Sequence, residues 1–168
     1  RFSAEHPGVP VRLGRETLAG AWEALQEDRA DLVIGATGEA PPGGRYGIRP
    51  LGRVSFAFVA APHHPLGGCS GPLTPAEVRR HRAIAVADTA RTRAARTTGL
   101  QSGQPVLTVP DQEAKVAALV RGLGVGHLPR HAAKGPLGDG TLRELALAES
   151  MPPLQTHLAW QSPARGRA

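Results

Sequence analysis

Apolar residues recur along this chain at two spacings. Leu18, Ala21, Trp22 and Leu25 stand at i, i+3, i+4 and i+7, one stripe of a helix for which Thr17 is the expected N-cap. Glu23, Glu27 and Asp28 lie off that stripe. Before it, residues 9–13 (VPVRL) alternate apolar and polar as a strand does. After it, residues 32–36 (LVIGA) form a continuous apolar run that reads as a buried parallel strand. Strand, helix and strand in that order predict a βαβ unit with a right-handed crossover.

Residues 48–51 and 54–61 are two further strands, and Pro62 ends the second. The Gly/Pro-rich stretch 63–72 (HHPLGGCSGP) is a loop and marks the best boundary. A second unit follows. Thr74-Pro75-Ala76-Glu77 is a capping box with proline at the first helical position. Residues 83–87 (AIAVA) and 106–109 are strands, and Asp111 caps a helix whose stripe is Val116, Leu119, Val120 and Leu123. That helix stops at Gly122-Leu123-Gly124, and 125–128 is a short strand closed by Pro129. The tail offers strands at 142–147 and 157–160. Two small sheets side by side, with the tail returning to the first, leave a cleft between them that suits a ligand.

Composition narrows the class. Gly (21) and Pro (16) are numerous in 168 residues, but a 40% hydrophobic content is enough to bury a core, so a disordered or fibrous chain is excluded. One cysteine, Cys69, rules out an internal disulfide framework and a multi-cysteine zinc site, and it fits a reducing compartment. The longest stretch free of Asp, Glu, Lys and Arg, 54–76, is broken by four prolines and cannot span a membrane. No signal-peptide pattern opens the chain, and it does not begin with Met, as a fragment would not.

The net charge of +6 comes from arginine, with Arg79, Arg80, Arg82, Arg91, Arg93 and Arg96 in one run. Clustered cations suit nucleic acid, and equally a solvated face. The few aromatics and the absence of a helix-turn-helix or RNA-binding motif favour the second.

Candidate chemistry is sparse. Gly122-Leu123-Gly124-Val125-Gly126 follows a helix and precedes a strand, the reverse of a dinucleotide loop, and reads as helix termination. Pro129 separates His127 from His131, which excludes one regular helical face of zinc ligands. Cys69 with His63 and His64 lacks an orienting acid and oxyanion donors. No cofactor, metal or catalytic group is indicated. Small polar residues at strand ends remain: Gly35, Ala36 and Thr37 after the first unit's strand, and Asp88, Thr89 and Arg91 after the second's. Such groups suit a small acidic or amide-bearing ligand, and equally ordinary turn hydrogen bonds or a surface ion pair.

Four segments carry a family resemblance. These are 22–36, 58–66 (FVAAPHHPL), 85–91 (AVADTAR) and 122–129 (GLGVGHLP), which in order and spacing resemble the effector-binding domain of LysR-type transcriptional regulators over nearly the whole chain. The resemblance implies an α/β fold like that of periplasmic binding proteins, with two subdomains joined by two crossovers and a small-molecule effector in the cleft. It implies subdomain I at 1–61 plus 130–168 and subdomain II at 62–129, with Val59, Ala60, Ala61 and Pro62 as the first hinge. Effector contacts carried over from the family are Ala36, Thr37, Asp88, Thr89, Arg91 and His127. His127 departs from the apolar residue common there. The family's winged helix-turn-helix and linker helix have no counterpart here, nor do the domain's first strand, most of its first helix, or a final helix beyond Gly166-Arg167. The expectation is a cytoplasmic, non-catalytic sensor that forms a homodimer or tetramer and meets DNA only through an N-terminal domain. A periplasmic solute-binding protein and a small α/β enzyme are the alternatives.

Overall fold

A computed structural model describes residues 1–42, 44–92 and 96–162; Arg93 of the basic run and Gly166-Arg167 lie outside them. The first group of elements is α1 (Phe2–Glu5), α2 (Ala19–Gln26), β1 (Leu32–Thr37) and β2 (Tyr46–Val54). Next come β3 (Phe56–Ala60), a 3-10 turn (Pro65–Gly68), α3 (Pro75–Arg79), β4 (Ala83–Val86) and β5 (Val106–Val109). The chain closes with α4 (Gln112–Val120), β6 (Gly126–Pro129), α5 (Arg130–Gly138), β7 (Arg143–Glu144) and β8 (Leu154–Gln161).

The tail does return to the first sheet. β8 lies between β1 and β2 and is antiparallel to both. This corrects the reading of 32–36 as a buried parallel strand: β1 is an edge strand, and Leu32 and Ile34 are 51% and 75% exposed on its open face. Its other face holds Val33 and Ala36 against Trp22, Leu25 and Ala159. Residues 9–13 form no strand either, for their alternation meets no neighbouring strand to bond, and Val9, Val11 and Leu13 stay exposed.

A second sheet, in the order β6-β3-β7, is antiparallel, and β4-β5 is a parallel pair. The β4 edge is joined to the segment before β6 by the bridge Ala83–Val125, where Ile84 N donates to Val125 O at 2.9 Å. Ile84, Leu119, Leu128, Ala133 and Leu142 are buried around Val59 on one side of β3. Phe58, Leu66, Leu73, Val78, Val125 and Leu145 fill the other. The chain changes sheet at Ser55 and again between Ala148 and Leu154. Val59 and Ala60 are inside β3, hydrogen-bonded on its flanks, with Ala61 and Pro62 directly after it.

Local signals decide the second half. At α3 the Thr74 side chain accepts from Glu77 N while the Glu77 carboxylate accepts from Thr74 N at 2.8 Å, a complete capping box with Pro75 at the first turn. Thr74→Ala should lower stability by about 1 kcal/mol, read as an earlier urea midpoint at unchanged slope. α4 starts on Asp111, whose side chain accepts from Ala114 N at 2.8 Å. Its buried face is Lys115, Ala118 and Leu119, turned from the predicted stripe, and Leu123 is 46% exposed. No described helix is long and apolar enough to cross a membrane.

Candidate functional site

α2 has no cap of its own. Leu18 at its N-cap position takes φ 53°, ψ −118°, a conformation costly for a branched residue, and makes no side-chain cap bond. Thr17 is not the cap. The cap arrives from 69 positions away, where the Asp88 carboxylate accepts from Ala19 N and Gly20 N at 3.3 and 3.1 Å. Burial pushes the Asp88 carboxyl up, but backbone N–H donors from Arg96, Ala90, Gly20 and Ala19 outweigh it and hold the group below the usual range. Gly20 permits the approach, since a Cβ there would lie 2.0 Å from Thr89 Oγ1. Thr89 Oγ1 in turn donates to Glu16 and accepts from Thr17 N.

Glu23 completes this clasp. Expected off the apolar stripe, it is instead 1% exposed. It accepts from Arg91 N (2.7 Å), Thr92 N (2.8 Å) and Thr92 Oγ1 (2.7 Å), and faces Arg29 at 3.4 Å. Arg29 also meets Glu16 and Glu27. The loop after β4 is thus pinned to α2 by two carboxylates.

Beside the clasp lies a cavity of about 960 Å³. One wall comes from residues 10–18 and β1, the other from Ala85 and Val86 at the carboxyl end of β4, from Gln112 and Lys115 of α4, and from His127 of β6. A crevice at the carboxyl ends of parallel strands is where open α/β folds take ligands. Its volume falls within the range of small-molecule sites.

The polar lining of the second wall is unusual. Lys115 is 8% exposed, and its ammonium has no hydrogen bond or ion pair among the described residues. Burial alone brings its ammonium down to about 8. His127, whose ring lies tilted against Phe58 with centroids 5.0 Å apart, is brought down to about 4 by burial first and by the Lys115 charge second, so it is neutral near pH 7. His127 Nε2 and Gln112 Nε2 are buried without a partner.

Of the residues expected to touch effector, Thr37 and His127 line this cavity. Ala36 is fully buried in the core beneath β1, while Asp88 and Thr89 are engaged in the clasp. The exposed Arg91 offers its backbone N–H to Glu23. Lys115 and Gln112 were not among the expected residues. The signal was present, since Lys115 stands at i−4 from the fully buried Leu119 and so shares its face. Among the histidines of the loop, His64 Nδ1 accepts from Leu66 N and caps the 3-10 turn. Among the described residues no group of three or more His, Cys, Asp or Glu could hold a metal ion.

Comparison with known proteins agrees on the family. The LysR substrate binding domain matches residues 1–168. The HTH-type transcriptional activator AllS of Salmonella typhimurium is 34% identical over 167 residues, covering 99% of this chain and 54% of that protein. The HTH-type transcriptional regulator PunR of Escherichia coli K12 is 37% identical over 160 residues, covering 95% and 52%. The chain spans about half the length of these curated relatives. Among solved structures, the Synechocystis CcmR regulatory domain in complex with 2-PG aligns with a TM-score of 0.66 at 18% identity, covering 98% of this chain and 79% of that one. The regulatory domain of MetR, a LysR family regulator from Neisseria meningitidis, gives 0.66 at 18% identity, covering 96% and 74%. These last two likenesses establish the fold, the α/β arrangement of LysR regulatory domains that resembles periplasmic binding proteins. With the family match running the length of the sequence and relatives above 30% identity, the chain belongs to the LysR substrate-binding domain family.

Proposed function

We propose that this chain is the effector-sensing part of a bacterial LysR-type transcriptional regulator, binding a small molecule in the 960 Å³ cavity without transforming it. The carrying observation is that the cavity has one wall from the β1 side and one from β4, α4 and β6, so a ligand filling it touches both groups of elements. Such a ligand shifts the arrangement of the two groups only as far as it prefers one arrangement over another. The relatives' designation as HTH-type regulators supports a role in which DNA is met through a helix-turn-helix domain and the protein works in the cytoplasm. The apolar outer face of α4, where Val116, Ala117 and Val120 adjoin Ala132 of α5, is the surface we assign to a second copy in a homodimer or tetramer.

The test is a thermal-shift screen of the purified protein against a library of neutral nucleosides, amides, amino acids and organic acids, followed by calorimetry. The expected result is saturable stabilisation of several degrees by one chemical group, with the compound recovered unchanged. Recovery of a converted product overturns the sensor reading in favour of an enzyme. Absence of any stabilising compound overturns it as well.

A further inference from the structure

We infer that the cavity holds its ligand by a carboxylate seated against Lys115 Nζ, with Gln112 and His127 as neighbouring hydrogen-bond partners. This rests on the sensor reading and specifies the ligand's chemistry. A fully formed ion pair is the usual condition for burying a lysine. Lys115 is nine-tenths buried, lines the cavity, and meets no carboxylate among the described residues. The nearest acids on its own helix face elsewhere: Asp111 caps Ala114 N and lies 3.8 Å from Arg15, and Glu113 pairs with Arg15 at 3.3 Å. The protein therefore carries the cost of a desolvated cation that only something entering the cavity can relieve.

The neighbours of Lys115 agree with this polarity. Both buried lining atoms without a partner, Gln112 Nε2 and His127 Nε2, are nitrogens. Gly126 lies directly beside the lysine: a Cβ there would meet Ile84 O at 3.0 Å and stand in ordinary contact with Lys115 Cε and Nζ at 3.4 and 3.7 Å. One cation flanked by neutral nitrogens matches a single negative charge. A phosphate, with about −1.5 to −2 charges and three acceptor oxygens, calls for more donors than this. The cavity's carbon lining, which includes Val86 and Phe56, accommodates an apolar body on the acid group.

The experiment is calorimetry and thermal shift on the protein at fixed ionic strength. The probes are acetate, succinate, benzoate and cinnamate, each beside its primary amide, with inorganic phosphate as a further arm. At least one acid should bind ten-fold or more tighter than its amide. Lys115→Met should weaken that acid ten-fold or more, and Lys115→Arg should keep it within a few-fold. Equal binding of acid and amide, no binding by any acid, an unchanged affinity in Lys115→Met, or displacement of the acid by millimolar phosphate overturns the inference. Where neutral compounds of the wider screen bind and the acids do not, the carboxylate assignment fails and the sensor reading stands. Where neither group binds, both fail.

Discussion

Glu23→Ala is expected to lower the unfolding free energy by about 3–5 kcal/mol, the range for breaking a buried charge network. The side chain is 1% exposed and accepts three hydrogen bonds from Arg91 and Thr92, so its removal strips the loop after β4 of its anchor. It also removes one of the three carboxylates around Arg29. Glu23→Gln keeps the shape but turns one acceptor into a donor that faces an N–H, and should cost about 1–2 kcal/mol. For a chain of this size about 1 kcal/mol moves the melting temperature by roughly 2–4 °C, so the two variants separate clearly in a thermal melt. A loss below about 1 kcal/mol in the alanine variant would show that the clasp contributes little to the folded state.

Lys115→Met should act in the opposite direction and raise stability in the absence of ligand. Burial brings the Lys115 ammonium from 10.5 to about 8, a penalty worth at most about 3 kcal/mol, and a gain of about 1–3 kcal/mol is expected on removing it. The sign follows from proton counting. Between pH 8 and 10.5 the unfolded chain binds the proton that the folded chain has shed, so wild-type stability rises with pH across that window. The advantage of the methionine variant is thus full below pH 8 and fades towards 10.5. His127 has its own window. Its folded value of about 4 lies below the ordinary 6.5, so its contribution is complete above 6.5 and is lost as pH falls towards 4. Because the Lys115 charge is the second cause of that depression, the methionine variant should move the His127 midpoint upward in a proton NMR titration. A variant less stable than wild type at pH 7 would mean that the lysine has a stabilising partner.

What could be read from the sequence was whatever is encoded locally. The capping box at Thr74, the Asp111 cap and the β5 strand were each found in place, because a turn or less of chain carries the whole signal. No element was expected over α5, where Pro136 is accommodated within the helix and Ala133 anchors it in the core. The apolar run of β1 announced a strand but not its neighbour, and an interposed β8 made it antiparallel and peripheral. At the site, Thr37 and His127, both carried over from the family resemblance, line the cavity. Asp88 and Thr89, expected as effector contacts, are engaged within the protein, where Asp88 closes a helix that lacks its own cap and Thr89 donates to Glu16. Glu23 and Lys115 escaped notice since a charged residue in an amphipathic helix ordinarily faces water, even where, as for Lys115, it shares a face with a buried leucine.

Because Asp88 closes the first turn of α2 from the far side of the chain, the amide of Ala19 serves as a gauge, whereas Gly20 N is also held by the nearby Thr17 O. Deuterium can replace the Ala19 proton when the helix frays, and also whenever the loop after β4 swings clear of it. A helix closed from within its own turn would record the first event alone. A molecule that clamps the two parts together should therefore slow exchange at Ala19 more than at Gly20, giving a label-free count of how often they separate.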